Sequence, residues 1–205
     1  NVYEDLNKTK NDRYEYILPR INLVKNINNL TNLNGNLSIK SQALVRHYDT
    51  NVYERTNTND LLFKSFPKIT SRGFYNNYEF LLKNFNTKNE NSSYKNNENL
   101  SLSSLFQFNS SLPLIKENEN FQKILRPKLS LKFAPPHTKD ARNSESKIDL
   151  SNIYSLNRLT DSTTEGGLSI TYGSDYSIYS NKKSSEILNF KVANNFRFEE
   201  NDDLS

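Results

Sequence analysis

Apolar and polar residues alternate along much of this chain with a period of two. Leu125, Pro127, Leu129, Leu131 and Phe133 are separated by Arg126, Lys128, Ser130 and Lys132. Leu188, Phe190, Val192, Phe196 and Phe198 stand in the same relation to Asn189, Lys191, Asn195 and Arg197. Three further stretches repeat the pattern: Leu37, Ile39, Ala43 and Val45; Leu100, Leu102, Phe106 and Phe108; and Leu168, Ile170, Tyr172, Tyr176 and Ile178. Successive side chains of a strand point to opposite faces, so each stretch predicts a strand with one apolar and one polar face.

Three segments are less regular. In 13–25, Tyr14, Tyr16 and Leu18 keep one phase, and Ile21 and Leu23 keep the other. A bulge or bend at Pro19 accounts for the switch, because proline cannot donate to a ladder. Residues 68–85 carry Phe74, Tyr78, Phe80 and Leu82 in one phase, and 52–65 alternates more faintly. Together these make roughly eight strands by the alternation test, with no helix of useful length. Several strands run for about ten residues, longer than the ~5–6 common in soluble domains. That length suits the ~9–11 residues a tilted strand needs to cross a bilayer. Tyr14, Tyr48, Phe74, Phe133, Tyr179 and Phe198 fall near strand ends, where outer-membrane barrels carry aromatic girdles.

The connections are unequal. Asn26–Asn34, Thr50-Asn51 and Asn181–Ser184 read as turns, whereas 86–99 and 135–165 read as long polar loops. Two strands separate the long loops, which places both on one side of an antiparallel sheet. Outer-membrane barrels have short periplasmic turns and longer outer loops, so both are expected at the cell exterior. The expected fold is all-β, an antiparallel transmembrane β-barrel segment, with 1–205 forming part of one barrel domain. Roughly eight strands do not close a large barrel, so the expected form is an open, curved sheet with unpaired edges.

Composition narrows this further. The hydrophobic share is 34%, thin for a closed soluble core. Disorder would require few aromatics, yet 12 Tyr and 12 Phe fall into the ordered patterns above. The absence of cysteine excludes disulfides and thiolate metal sites in this stretch. No apolar run approaches ~18 residues, so no membrane-spanning helix is expected. The net charge of +4 is scattered, without a basic helix, zinc-finger spacing or aromatic RNA-binding motif, so nucleic acid is not an expected partner. The start Asn1-Val2-Tyr3 has no basic segment leading into an apolar core, and the chain reads as a piece of a longer one.

A resemblance comes into view between Leu125 and Ile178. Arg126-Pro127-Lys128-Leu129 leads to Ala134-Pro135-Pro136, and a long loop follows with Asp149, Ile153, Tyr154, Asn157 and Arg158 in the order D-x-x-x-I-Y-x-x-N-R. A strand containing Tyr172-Gly173 then resumes. Upstream, Leu18-Pro19-Arg20-Ile21, Asn34-Gly35-Asn36-Leu37 and Leu112-Pro113-Leu114-Ile115 keep the same company. This resembles the C-terminal barrel region of the lipopolysaccharide-assembly protein LptD family, also called organic solvent tolerance protein. Two features depart from the family: Leu159 follows Asn157-Arg158 where an aromatic is common, and Asp161-Ser162-Thr163-Thr164 replaces a G-x-D-R element.

The resemblance implies transport, with no catalysis. Its expected partners are lipopolysaccharide, the plug lipoprotein LptE, a periplasmic bridge of the LptA type reached through an N-terminal domain, and outer-membrane lipid. The expected location is the outer membrane of a Gram-negative bacterium. The residues carrying the family pattern are Pro127, Pro135, Asn157, Arg158, Tyr172 and Gly173, and Asn157-Arg158 reads first as a simple strand-end pair, with anchoring of the long loop into the lumen as the alternative. Another outer-membrane barrel, a porin or a TonB-dependent receptor, would show the same alternation without the Asn157-Arg158 loop. A soluble adhesin-like β protein would instead pack its apolar faces together in a sandwich.

Catalytic, cofactor and metal sites are not expected. His47 and His137 lie far apart without ligand spacing and read as surface or loop residues. Glu117 and Glu119 read as solvated turn residues rather than an acid/base pair. Gly166-Gly167 precedes a strand, so it is a turn signal and not a phosphate cradle. Asn36-Leu37-Ser38 is a chance match in an Asn-rich chain.

Overall fold

The computed structural model describes residues 2–7, 13–30, 33–48, 52–90, 98–135, 148–159, 164–182 and 185–198. They form one antiparallel sheet with eleven strand segments: β1 (Val2–Glu4), β2 (Tyr14–Leu30), β3 (Gly35–Tyr48), β4 (Tyr53–Ser65), β5 (Lys68–Ile69), β6 (Tyr75–Glu90), β7 (Asn99–Ser111), β8 (Leu114–Glu117), β9 (Phe121–Ala134), β10 (Gly167–Ser180) and β11 (Ser185–Arg197). The order is β1-β2-β3-β4-β6-β7-β9-β10-β11, each strand pairing with its neighbours in sequence, and the sheet is not closed. No helix occurs among the described residues.

The two segments off this path are continuations of their predecessors. β8 pairs β9 in the register that β7 sets, and the Leu112 N–H still donates to the Pro127 carbonyl at 3.1 Å between them. On an antiparallel strand a residue's N–H and C=O point the same way. Pro127 therefore has no N–H to return toward Leu112, and the ladder is interrupted there. β5 continues β4 after Phe66-Pro67, with the pairing to β6 displaced by one residue. The phase switch at Pro19 is likewise a register shift, between Ile17 and Arg20.

Several expected boundaries are corrected. β6 extends through Glu90, paired with Tyr53, so the loop expected at 86–99 spans 91–98. β2 continues to Leu30, which shortens the turn expected from Asn26. Phe74 lies in the turn between β5 and β6, not in a strand. The segment expected at 68–85 is thus two strands around a turn.

Cross-strand pairing sorts the side chains into two faces. One row runs Ile27, Leu37, Phe63, Phe80, Phe106, Phe133, Leu168, and the Phe198 N–H continues it to the Leu168 carbonyl at 3.0 Å. Phe63 is buried beside Gly35 and Tyr78, and the rest of the face carrying this row is largely open: Leu23 is 64% exposed, Leu102 60% and Phe190 60%. The opposite face carries Lys83, Ser103, Gln107, Ser130, Lys132, Ser169 and Thr171, all of them buried. Burial is thus inverted relative to a soluble sheet. Of the aromatics expected to ring the strand ends, Tyr48 and Tyr179 belong to this covered polar face, by pairing with Glu15 and Gln122.

The strands are also staggered. Leu37 lies two residues from the start of β3, whereas Leu168, in the same row, lies twelve residues from the β10 end on that side. Residues 31–34, 70–74, 118–120 and 181–184 connect strands at this end. Residues 49–52, 91–98 and 135–166 connect them at the other, so both long connections share one end as the sequence predicts.

Candidate functional site: a loop seated on the polar face

What covers the polar face is the connection between β9 and β10. Its described part starts at a tight turn built on Asp149. The Asp149 side chain accepts from the Ser151 N–H at 2.7 Å and the Ser151 hydroxyl at 2.5 Å, and the Ile153 N–H donates to the Asp149 carbonyl at 2.9 Å. The Ser151 hydroxyl, then the Ser151 N–H, holds the Asp149 carboxyl below its usual range. Asp, Ser and Asn bond nearby backbone groups in this way, which is why they build turns.

Three successive carbonyls of the loop then dock on three strands. The Ile153 carbonyl accepts from the Thr171 hydroxyl of β10 at 3.5 Å, Tyr154 from the Gln107 amide of β7 at 2.8 Å, and Ser155 from the Lys132 ammonium of β9 at 2.8 Å. Between these polar anchors, Leu156 packs with Leu81, Leu105 and Ala134, while Leu62 borders the cluster. The apolar residues scattered through an otherwise polar strand face therefore have a purpose: they form a small floor for the loop.

An ion cluster fixes the far end. Arg158, side chain fully enclosed, donates through Nε to Glu165 Oε2 at 2.7 Å and through Nη2 to Glu165 Oε1. Arg197 Nη2 of β11 meets the same carboxylate at 2.7 Å, and Lys132 Nζ lies 3.7 Å away. Burial alone would raise the Glu165 carboxyl. The Arg158 hydrogen bonds and the three positive charges outweigh it and hold the group below its usual range. Gly167, at φ +91, then starts β10.

Tyr154 closes the arrangement. Its ring lies under Lys128, whose Nζ is 5.4 Å from the ring centroid and which pairs with Asp175. Burial, then the Asp175 charge, raises the Tyr154 hydroxyl above its ordinary pKa. The hydroxyl sits over Gly173, where a Cβ would come within 2.5 Å of it.

Beside the loop a cleft of about 540 Å³ remains, lined by Lys40, Lys64 and Lys83 from the strands and by Tyr154, Leu156 and Asn157 from the loop. Lys83 is buried and bound to both Asp60 oxygens at 2.7 and 2.9 Å, and Lys64 pairs with Glu79 at 3.4 Å. No family model matches this sequence, and no curated protein matches it.

The residues singled out by the sequence separate in space. Asn157, Arg158 and Gly173 gather at the loop, and Asn157 accepts from the Leu159 N–H at 3.3 Å. Tyr172 and Pro127 are on the opposite, apolar face, and Pro135 is exposed just past β9. Glu165, Lys132, Arg197 and Gln107 were not singled out; the only signal of Lys132, Arg197 and Gln107 was membership of the polar phase of their strands, and Glu165, in the connection before β10, had none. His47 lies in β3 rather than on a loop, partly exposed and in the phase of Leu37, with its ring 4.3 Å from that of Tyr53. Glu117 ends β8 and Glu119 lies in the turn after it, both exposed. His137 lies outside the described residues. No group of His, Asp and Glu that could hold a metal occurs among the described residues.

Proposed function

We propose that this chain is a stretch of an outer-membrane β-barrel, and that the barrel belongs to a lipopolysaccharide transport and assembly system of the LptD type. The observation that carries the first part is the inverted burial. The face made of Leu, Phe, Val and Ile is open, and the face made of Lys, Ser, Gln and Arg is covered by a folded loop. Hydrocarbon outside and a polar lumen inside would reward that arrangement; water on both sides would penalise it. The grouping of both long connections at one end supports the same reading. The second part rests on the Pro127, Asn157-Arg158 and Tyr172-Gly173 resemblance.

In this reading the cleft beside the loop faces the lumen, and its lysines and Asn157 meet polar cargo or a plug such as LptE. The protein places lipopolysaccharide on the cell surface in concert with a periplasmic bridge and performs no catalysis. A porin or TonB-dependent receptor would share the barrel physics but not the cargo.

The test is depletion in the host cell with surface lipopolysaccharide as the readout. Surface lipopolysaccharide falls if the proposal holds. A normal surface after depletion rejects the cargo, and recovery of the full-length protein in the soluble fraction rejects the barrel.

A further inference from the structure

The ion cluster at the end of the loop is not balanced. Lys132, Ser169 and Arg197 lie side by side in one row of the polar face, on β9, β10 and β11. Arg158 comes onto that row from the loop, and its Nη2 donates to the Ser169 hydroxyl at 3.5 Å. Three cations thus converge on Glu165, the one carboxylate that meets them among the described residues. Lys132, Arg158 and Ser169 are all buried.

Two features call for an anion. Excess charge inside a protein is costly unless a counter-charge stands beside it, and a guanidinium cannot shed its proton to escape that cost. Arg158 also has a donor in reserve. Its Nε and Nη2 are engaged by Glu165, whereas Nη1 is enclosed and bonds nothing among the described residues. Because the Nε–Nη2 edge faces Glu165, the second Nη2 hydrogen, and with it Ser169, lies toward Nη1. The Ser169 oxygen accepts there, which leaves its own O–H to donate.

We propose that this cluster binds a small inorganic anion of the halide class at the Nη1 edge of Arg158, in the field of Lys132 and Arg197, and that the ion helps hold the loop on the sheet. Charge selects the sign, and enclosure selects the size. The Arg158 side chain has no exposed surface, so an anion as large as a lipid headgroup has no approach to it. Arg197, whose side chain is 24% exposed, offers a small ion the way in. The loop seat is thereby completed by an ion as well as by protein groups, whatever the barrel carries.

The test uses the purified full-length protein in sodium chloride or sodium gluconate at equal ionic strength, which separates binding from screening. Proteolysis within 148–159 is expected to slow severalfold and saturably as chloride replaces gluconate, with bromide acting like chloride. Arg197→Gln raises the chloride concentration needed about tenfold, since one charge facing the ion is lost. Glu165→Gln makes the loop more dependent on chloride, because the ion becomes the remaining counter-charge. Arg13→Gln, in the exposed pair with Glu4, leaves the chloride response unchanged. Equal cleavage in the two salts, or a chloride response unaltered in Arg197→Gln, overturns the site. If either loop variant is cleaved too fast to titrate, crystals of the parent protein soaked in bromide decide: an anomalous peak beside Arg158 Nη1 supports the site, and its absence overturns it.

Discussion

The hydroxyl of Tyr154 rests against Gly173, at a position where any side chain would collide with it. A loop residue and a strand residue nineteen positions apart in sequence thus define one contact. The glycine lets β10 come close to β11 as well, since a Cβ would also meet the Val192 carbonyl and lie 2.8 Å from Ala193 Cα.

Gly173→Ala is therefore expected to destabilise the protein by ~1–3 kcal/mol through overpacking. Adding Tyr154→Phe relieves the hydroxyl collision but not the backbone one, so rescue is partial. Thermal midpoints of the purified protein and its two variants check this. Full recovery in the double variant would show that β11 does not contribute.

Glu165→Gln leaves Arg158, Arg197 and Lys132 facing one another without a counter-charge. Breaking a buried ion network costs roughly 3–5 kcal/mol, and here that loss falls on the loop rather than the sheet. Residues 148–159 become protease-sensitive while strand content, read by circular dichroism, stays unchanged. Loss of both together would mean that the loop and the sheet fold as one unit.

The same carboxylate predicts a pH dependence. Its folded-state pKa lies below the ordinary 4.5, so the stability it supplies is fully present above that value. It is lost as pH falls through the folded-state value, when the carboxyl becomes neutral and the three cations repel. Loop proteolysis in acid-stable detergent should rise on acidification below about pH 4.5 and be flat from there to neutrality. Loop release on going alkaline through the neutral range would contradict the assignment.

Leu131→Arg separates a lipid-facing surface from a watery one. Leu131 points to the open face, paired on both sides with Phe108 and Ile170. In a bilayer the change costs from ~1 kcal/mol near an interface to ~2–4 kcal/mol at the midplane, and assembled protein in the outer-membrane fraction should drop. On a solvent-exposed surface the effect would stay within about 0.5 kcal/mol, and yield would not change.

The strands were legible because alternation needs no tertiary information: Leu129 and Lys132 declare opposite faces by their positions alone. Boundaries in the Asn-rich stretches were not, since Asn is a poor strand former and it is pairing, with Tyr53, Thr56 and Asn57 of β4 and with Asn99 and Leu100 of β7, that carries β6 through Asn86 to Glu90. The short strands β5 and β8 were not resolved as strands of their own: β5 lay inside the stretch expected at 68–85, and four residues of β8 are too few to show alternation, whereas the partner strand carries the chain past Pro67 and Pro113. Tyr154, Arg158 and Gly173 could be picked out, but not which of them met. Glu165 stayed hidden because its three cations come from the loop, β9 and β11, and only the folded-back connection assembles them.

The slant of the strands has a consequence for reading this wall. Because the Leu37–Phe198 row climbs from one end of the strands at β3 to the other at β11, a line drawn across the open face at constant height meets a different rung on every strand. Substitutions meant to probe one height must therefore follow a diagonal across the sequence, stepping several residues per strand, and a horizontal set of cross-strand neighbours would sample the whole thickness instead.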